Sequence, residues 1–290
     1  MSFVEDALKF HAEHNGMLAV ASKVPLNNRE DLALAYTPGV AEPCKAIKEN
    51  KELSFEYTCR GNTVAIVSDG TRVLGLGDIG PEAAMPVMEG KAVLFKTFGD
   101  VDAIPICIDT KDPEEIIETV RRLQPAFAGI NLEDFSSPKC YEIEDRLREI
   151  CDIPVFHDDQ HGTAIACLSA VMGALRYVKK DIKDVKVVVN GCGAAGSAIG
   201  RLFVSMGFPN VIMVERVGAL YKGIDAKLDK NQRYLSEVTN PNMEKGTLAD
   251  VAKGADILVG VSGPNLFTKE IIASMADKAI VFGLANPVPE

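Results

Sequence analysis

The apolar residues of this chain follow two patterns: short continuous runs, and longer stretches with an apolar residue at every third or fourth position. Continuous runs rich in valine and isoleucine are typical of buried strands, and the longer spacing is typical of helices. Strands are predicted at residues 64–68, 104–108, 127–135, 153–156, 185–190, 211–214, 256–263 and 279–283. Helices are predicted at residues 2–15, 113–123, 137–148, 163–177 and 197–206. Residues 72–80 are predicted to form a further strand after a hairpin-type turn at Asp69-Gly70.

The order of these elements predicts an α/β protein with two domains. Strands that alternate with helices form parallel sheets, because each helix returns the chain to the same end of the next strand. A length of 290 residues is sufficient for two domains. We expect an N-terminal parallel-sheet α/β domain over residues 1–162 and a Rossmann-type dinucleotide-binding domain over residues 163–290.

A glycine-rich motif lies near the start of the second predicted domain. Gly191-Cys192-Gly193-Ala194-Ala195-Gly196 stands between the predicted strand 185–190 and the predicted helix 197–206. Glu215 ends the next strand, 19 residues after Gly196, where an acidic side chain binds the adenosine ribose. This combination predicts a dinucleotide site. Glu215 favours NAD because it repels a 2′-phosphate, whereas Arg216 could bind one, so NADP stays possible.

Two pairs of adjacent acids follow strands of the first predicted sheet. Glu133-Asp134 lies at the polar end of the predicted strand 127–135, and Asp158-Asp159 follows the predicted strand 153–156. Parallel strands end at one edge, so the four carboxylates are expected to converge there and to need a cation or a proton between them. Their hard oxygen donors favour Mg²⁺ or Mn²⁺. A solvated turn with a helix cap is the alternative for a lone Asp-Asp pair.

Other polar residues each have an ordinary interpretation beside a catalytic one. Tyr36 precedes the Pro38-Gly39 turn and would by default be a packed aromatic. Lys91 lies among apolar residues and would normally reach solvent. If its amine is held inside, burial or a nearby cation lowers its pKa and makes it a general base. Arg72 is either a surface charge or a clamp for a carboxylate, and Asn286 is either a turn residue or part of a site.

Composition and charge exclude several classes of protein. The net charge of −10 and the lack of a basic patch argue against nucleic acid as a partner. Apolar runs stay below the ~18 residues needed to cross a membrane, so no membrane association is expected. Seven scattered cysteines without a C-x-x-C motif are typical of reduced thiols in a cytoplasmic protein. His157 and His161 are spaced for zinc, but the required glutamate is absent, and both are interpreted as structural.

Six blocks of this sequence, in this order, resemble the malic enzymes, specifically the short bacterial and archaeal type. The blocks are Tyr36-Thr37-Pro38-Gly39-Val40, residues 68–78, Gly90-Lys91, residues 131–135, residues 156–163 and Ala285-Asn286-Pro287. The resemblance covers nearly the whole chain. It implies oxidation of L-malate with NAD or NADP, decarboxylation of the resulting oxaloacetate, and release of pyruvate and CO₂. It also implies a homodimer.

The resemblance implies a role for each matched residue. Glu133, Asp134 and Asp159 match the ligands of the Mn²⁺ or Mg²⁺ ion. Lys91 matches the base for the malate hydroxyl, Tyr36 the acid that protonates enolpyruvate, and Asp158 a neighbouring acid that partners Lys91. Arg72 and Asn286 match residues that hold the substrate carboxylates. The residues expected to bind the cofactor are Asn190, Gly191, Gly193, Ala194, Ala195, Gly196, Glu215, Val261, Ser262 and Asn286.

Two departures from the family pattern keep alternatives open. Family members are expected to continue for several dozen residues beyond Asn286, so the dinucleotide domain is expected to be truncated at its C-terminus. Glu215-Arg216-Val217 differs from the Asp-Arg-Lys type of sequence expected there. The alternatives are a malolactic enzyme that releases lactate, a truncated fragment with a binding or structural role, and a non-catalytic dinucleotide-binding regulator.

Overall fold

The structure, a computed structural model, describes residues 3–286 and 288–290. Its helices are α1 Phe3–His14, α2 Arg29–Ala35, α3 Ala41–Glu49, α4 Ser54–Tyr57, α5 Pro81–Gly99, α6 Pro113–Leu123, α7 Lys139–Ile150, α8 Thr163–Val178, α9 Ala194–Ser205, α10 Lys230–Val238, α11 Leu248–Val251 and α12 Lys269–Ala273. Its strands are β1 Thr63–Ser68, β2 Asp102–Cys107, β3 Gly129–Leu132, β4 Val155–His157, β5 Lys186–Asn190, β6 Asn210–Glu215, β7 Gly218–Ala219, β8 Ile257–Gly260 and β9 Ile280–Gly283. Ser2, the predicted start of the first helix, and Pro287 lie outside the described residues.

The chain divides into two compact units. The first unit comprises Met1–Val73, Asp78–Asp134 and Ile143–Phe156. The second comprises Leu74–Gly77, Phe135–Glu142 and His157–Glu290. The domain boundary expected after residue 162 stays a prediction. No helix in the described part of the chain is long and apolar enough to cross a membrane.

The first sheet has the strand order β2-β1-β3-β4, and β1 pairs in parallel with both β2 and β3. Ala65, Ile66 and Val67 of β1 are fully buried. Met88 and Ala92 of α5 lie in one apolar cluster with Ile66, so α5 covers one face of the sheet. Burial on both faces explains why these strands appear in the sequence as continuous apolar runs. The predicted parallel sheet is confirmed.

The second sheet has the order β7-β6-β5-β8-β9. The pairs β5–β6, β5–β8 and β8–β9 are parallel, and the short β7 is antiparallel to β6. The chain passes from β6 on one side of β5 to β8 on the other, so the direction of winding reverses at β5. This reversal opens a crevice at the carboxyl ends of the strands, where doubly wound folds bind dinucleotides.

The strand predicted at residues 72–80 is wrong. The segment after β1 is a loop, in which the Ile79 N–H donates to the Gly70 carbonyl at 3.1 Å. A Cβ on Gly70 would lie 2.2 Å from the Gly80 carbonyl oxygen, so these two backbones touch. The neighbours of β1 are the parallel strands β2 and β3, and no place is left beside β1 for a strand that folds back directly.

In the described part of the chain no disulfide joins any of the seven cysteines, in keeping with the prediction of reduced thiols. Cys140, Cys167 and Cys192 are buried, whereas Cys44 and Cys59 are exposed. Burial raises the pKa of Cys167 to about 12 and raises the pKa of Cys192 as well. The buried cysteines therefore act as small apolar side chains rather than as nucleophiles.

Candidate active site

Three predicted metal ligands lie close together at the carboxyl edge of the first sheet. Glu133 and Asp134 follow β3, and Asp159 follows the neighbouring strand β4. One carboxylate oxygen from each residue lies within 4.8 Å of the other two, and Glu133 and Asp134 are buried. We call this group the carboxylate cluster. Three oxygen donors at this spacing fit a hard divalent cation, which would also relieve the repulsion among the charges.

The backbone around the carboxylate cluster is held by hydrogen bonds. The Glu133 N–H donates to the Val67 carbonyl at 2.9 Å, and Asn131 Nδ2 donates to Glu133 Oε2 at 2.9 Å. Asp134 has a φ of 58°, which is uncommon for a residue other than glycine. Its carbonyl accepts the Arg72 N–H at 2.9 Å. Backbone strain of this kind accumulates at functional sites.

Lys91 lies on α5 and is paired with the carboxylate cluster. Its Nζ is 3.0 Å from Glu133 Oε1, and its side chain is 22% exposed. The interpretation of Lys91 as an ordinary lysine that reaches solvent is therefore wrong. The predicted role of Lys91 as a base and its predicted link to Asp158 both stay predictions.

Asp158 and Asp159 begin a five-residue π-helix, Asp158–Gly162, that leads into α8. Such π-turns are rare and often mark functional sites. A Cβ on Gly162 would lie 2.1 Å from Asp158 Oδ1, so the lack of a side chain at 162 makes room for the Asp158 carboxylate. Gly162 is a residue that the sequence interpretation missed. His157 is fully buried, with Nε2 3.8 Å from Asp159 Oδ2, in keeping with a structural role.

Tyr36, Arg72 and Asn286 are exposed in this chain. Tyr36 caps the end of α2, and 67% of it is accessible to solvent, so the default interpretation of a packed aromatic is wrong. Arg72 is fixed through its backbone N–H, while its side chain is exposed. Exposed polar groups of this kind are available to a ligand, and the roles assigned to these three residues stay predictions.

The glycine-rich motif joins β5 to α9 in the second unit. Gly191 has a φ of 115°, and a Cβ there would lie 2.8 Å from the Val261 carbonyl oxygen. A Cβ on Gly196 would lie 1.9 Å from the Gly191 carbonyl oxygen. Gly193 faces open space and starts α9 without a side-chain cap. The helix N-terminus, with Ala194 and Ala195 in its first turn, therefore offers free N–H groups to a phosphate.

Glu215 lies beside this motif at the end of β6. Its carboxylate accepts the Cys192 N–H at 3.3 Å and the Arg216 N–H at 3.0 Å. Gln232 Nε2 lies 3.5 Å from Glu215 Oε2 and was not anticipated from the sequence. Asn190 Nδ2 donates to Ser262 Oγ at 2.8 Å, which joins the ends of the neighbouring strands β5 and β8. The residues predicted to bind the cofactor therefore line one edge of the second sheet.

The fold and the site define a class of protein: an α/β chain with a Rossmann-type dinucleotide site and a carboxylate cluster in which two of the three acids are buried. Comparison with known families narrows this class. The profile of the malic enzyme N-terminal domain matches residues 15–148. The profile of the malic enzyme NAD binding domain matches residues 160–290.

Individual relatives agree. An NAD-dependent malic enzyme of Geobacillus stearothermophilus is 53% identical over 95% of this chain and 57% of its own length. A bifunctional malic/malolactic enzyme of Bacillus subtilis is 49% identical over all of this chain and 71% of its own. The crystal structure of an NAD-dependent malic enzyme from Thermotoga maritima superposes with a TM-score of 0.95 at 48% identity, covering 98% of this chain and 76% of that one. This chain belongs to the malic enzyme family. It spans just over half the length of the Geobacillus relative.

Proposed function

We propose that this protein oxidises L-malate with NAD, decarboxylates the resulting oxaloacetate and releases pyruvate and CO₂, with Mn²⁺ or Mg²⁺ as a cofactor. The observation that carries this proposal is the contact of Lys91 with the carboxylate cluster, at 3.0 Å from Glu133. A base beside three hard oxygen donors is the arrangement that oxidation of a 2-hydroxy acid needs. Membership of the malic enzyme family supports the choice of malate.

Glu133, Asp134 and Asp159 would hold the divalent cation. When bound, the cation supplies Lewis-acid stabilisation for the negative charge that develops on the substrate oxygen. Arg72 and Asn286 would orient the substrate through its two carboxylates. An arginine fork matches a carboxylate with two parallel N–H bonds, and an amide adds one donor.

Lys91 and Tyr36 would move the protons. Lys91 accepts the proton of the C2 hydroxyl, and NAD, when bound, would accept the hydride from C2. The bond from C3 to the neighbouring carboxylate then breaks, CO₂ leaves, and the electron pair remains as the enolate of pyruvate. Tyr36 donates its phenolic proton to C3, which gives pyruvate. Asp158 would be the neighbouring acidic partner of Lys91.

The choice of NAD over NADP rests on Glu215. Its carboxylate is fixed by N–H groups of Cys192 and Arg216, so it cannot easily turn away from a ribose 2′-phosphate. A fixed negative charge at that point favours the free hydroxyl of NAD. Arg216 follows Glu215 directly in the sequence. Its positive charge could bind a 2′-phosphate, so NADP is the alternative cofactor.

A homodimer is proposed from the N-terminal helices. No described residue of α1, α2 or α3 is buried. Their large apolar side chains are exposed, including Phe3 at 87%, Leu8 at 70% and Leu34 at 72%. Exposed apolar patches of this kind mark interfaces, and a second copy of the chain is the proposed partner. Cysteines that form no disulfide among the described residues support a cytoplasmic location.

A malate-dependent assay tests the proposal. NADH formation is followed with NAD and L-malate, with and without Mn²⁺, on this chain and on a longer one that continues beyond residue 290. Product analysis separates malic from malolactic chemistry, because the former yields pyruvate and the latter lactate. The malolactic alternative is kept because the Bacillus relative is bifunctional. Absence of malate turnover in both chains contradicts the proposal.

A further inference from the structure

Glu290 is a carboxylate that the proposed chemistry does not use, yet it is buried. Only 8% of the residue is exposed. Each carboxylate oxygen accepts a backbone N–H: Oε1 from Ser262 at 2.7 Å and Oε2 from Ala285 at 3.1 Å. A charged acceptor forms stronger hydrogen bonds than a neutral one, and burying it has a cost that these bonds must offset. The position of this carboxylate is therefore specified by the surrounding chain.

The two donors belong to two different loops at the carboxyl edge of the second sheet. Ser262 follows β8, and Ala285 follows β9. Backbone hydrogen bonds add to the link, because the Glu290 carbonyl accepts the Phe267 N–H at 2.7 Å and the Pro289 carbonyl accepts the Asn265 N–H at 3.1 Å. The loop that carries Asn286 is thus joined to the loop that carries Ser262.

A glycine on β8 makes room for this carboxylate. A Cβ on Gly260 would lie 2.4 Å from Glu290 Cδ and 2.7 Å from Oε2, far inside van der Waals contact. Any other residue at the end of β8 would displace the Glu290 side chain. The pair of N–H donors selects a carboxylate at this point. The space at Gly260 is an independent feature that admits the side chain.

We propose that Glu290 is a positioning residue of the active site, whose carboxylate joins the Ser262 loop to the Asn286 loop and fixes where the Asn286 amide meets the substrate. The inference rests on the proposed function, because the role of Asn286 belongs to it. Glu290 acts through the backbone of the two loops. Holding a binding group in place before the substrate arrives reduces the entropy lost on binding.

The test compares Glu290→Gln and Gly260→Ala with the unchanged protein in a chain that is active. In Glu290→Gln, the amide NH₂ faces one of the two N–H groups, so one donor loses its acceptor. Gly260→Ala leaves the charge in place and displaces it. Both variants are expected to raise KM for malate about tenfold, which corresponds to one charge-assisted hydrogen bond. The Kd for NADH is expected to rise by less than KM: Ser262 and Asn286, two of the predicted cofactor-binding residues, lie on the joined loops, but Glu215 and the glycine-rich motif are untouched. The kcat is also expected to change less than KM, because Lys91 and Tyr36 are untouched.

A second measurement does not depend on turnover. Amide hydrogen exchange at Ser262 and Ala285 is expected to accelerate about tenfold in both variants, because the carboxylate that protects these N–H groups is lost or displaced. Glu237→Gln removes an exposed carboxylate whose partner is the exposed Lys222. Gly173→Ala adds a Cβ in open space on α8. These two control variants are expected to leave KM and exchange unchanged.

The outcomes separate this inference from the proposed function. A lower Tm with unchanged malate KM and unchanged exchange shows a merely structural Glu290 and overturns the inference. An equal rise in the KM for malate and in the Kd for NADH overturns the inference as well, since it shows general damage to the second unit. If the unchanged protein does not oxidise malate, the proposed function fails, while hydrogen exchange still decides whether Glu290 holds the two loops together.

Discussion

At the scale of single residues, Lys91 shows how its surroundings give a common side chain an unusual position. A lysine on a helix surface would extend into water, but Lys91 lies 3.0 Å from a buried glutamate. Losing this amine leaves the carboxylate cluster without one of its positive partners and leaves malate without its proposed base. Tyr36, which is exposed, is assigned the later proton transfer. Because Lys91 and Tyr36 are assigned to different steps, their roles can be tested separately.

Replacing Lys91 with alanine is expected to lower malate oxidation about 10²–10⁴-fold, the range of general base catalysis. Decarboxylation of added oxaloacetate should be largely retained, because that step bypasses the oxidation. Tyr36→Phe should still transfer hydride in a single turnover but form pyruvate slowly, since it lacks the proton for C3. Stopped-flow absorbance of NADH measures hydride transfer, and rapid chemical quenching followed by analysis of pyruvate measures the second step.

The same experiment has a clear opposite result. If both variants lose both partial reactions equally, while fold and metal binding are intact, the division of proton transfers between Lys91 and Tyr36 is wrong. Circular dichroism and Mn²⁺ titration of each variant provide the check on fold and metal.

Asp159→Ala is expected to lower metal-dependent turnover by about 10²-fold or more, because it removes one of three oxygen donors. Calorimetric titration with Mn²⁺ should show weaker binding, while NADH binding is kept. Asp152→Ala removes an exposed carboxylate seven residues earlier and serves as the control. Full activity of the unchanged protein in EDTA would disprove the metal assignment.

Glu215→Ser is expected to raise the ratio of kcat/KM for NADP to that for NAD by about tenfold, because a fixed negative charge near the 2′-phosphate is removed. Steady-state kinetics with both cofactors measure the ratio, and Glu237→Gln controls for the loss of one negative charge elsewhere. A preference of the unchanged protein for NADP would show that the interpretation of Glu215 is wrong.

At the scale of elements, the start of α9 depends on a backbone contact. A Cβ on Gly196 would lie 1.9 Å from the Gly191 carbonyl oxygen, and neither backbone can move without shifting the motif. Gly196→Ala is expected to destabilise the protein by about 1–3 kcal/mol and to abolish NADH binding. Gly173→Ala meets nothing within 4 Å and should stabilise α8 by up to about 1 kcal/mol. Urea unfolding measures the change in stability, and NADH fluorescence measures cofactor binding. Equal stability and equal NADH binding in the two variants would contradict the importance of the contact between Gly196 and Gly191.

At the scale of the whole molecule, the exposed apolar N-terminal helices predict self-association. Leu8→Glu places a charge on the apolar face of α1 and is expected to shift the protein from dimer to monomer. Lys9→Gln changes the charge of the same helix at an exposed position and should leave the dimer intact. Light scattering after size-exclusion chromatography gives the mass of each. A monomeric unchanged protein at micromolar concentration would rule out the proposed homodimer.

Much of the fold was predictable because its signals are local. The helix expected at residues 113–123 is observed as Pro113–Leu123, and the Asp112 side chain accepts the Glu114 N–H at 2.7 Å. The strands β5, β6, β8 and β9 of the second sheet and the glycine-rich motif between β5 and α9 were also located correctly, whereas the two-residue strand β7 was missed. Caps, valine-rich runs and proline at the first helical position act within a few residues, so the sequence displays them directly.

The sequence by itself determined the parallel α/β architecture, the dinucleotide motif and the residue types of the carboxylate cluster. Tertiary structure alone decided that residues 72–80 form a loop, that Lys91 pairs with Glu133, and that Gly260 accommodates the carboxylate of Glu290. These contacts join residues far apart in the chain. Which partners meet depends on strand order and on the paths of the loops, and local pattern carries no information about either. The helix α5 that carries Lys91 was missed as well, since its apolar residues are not confined to one clear face.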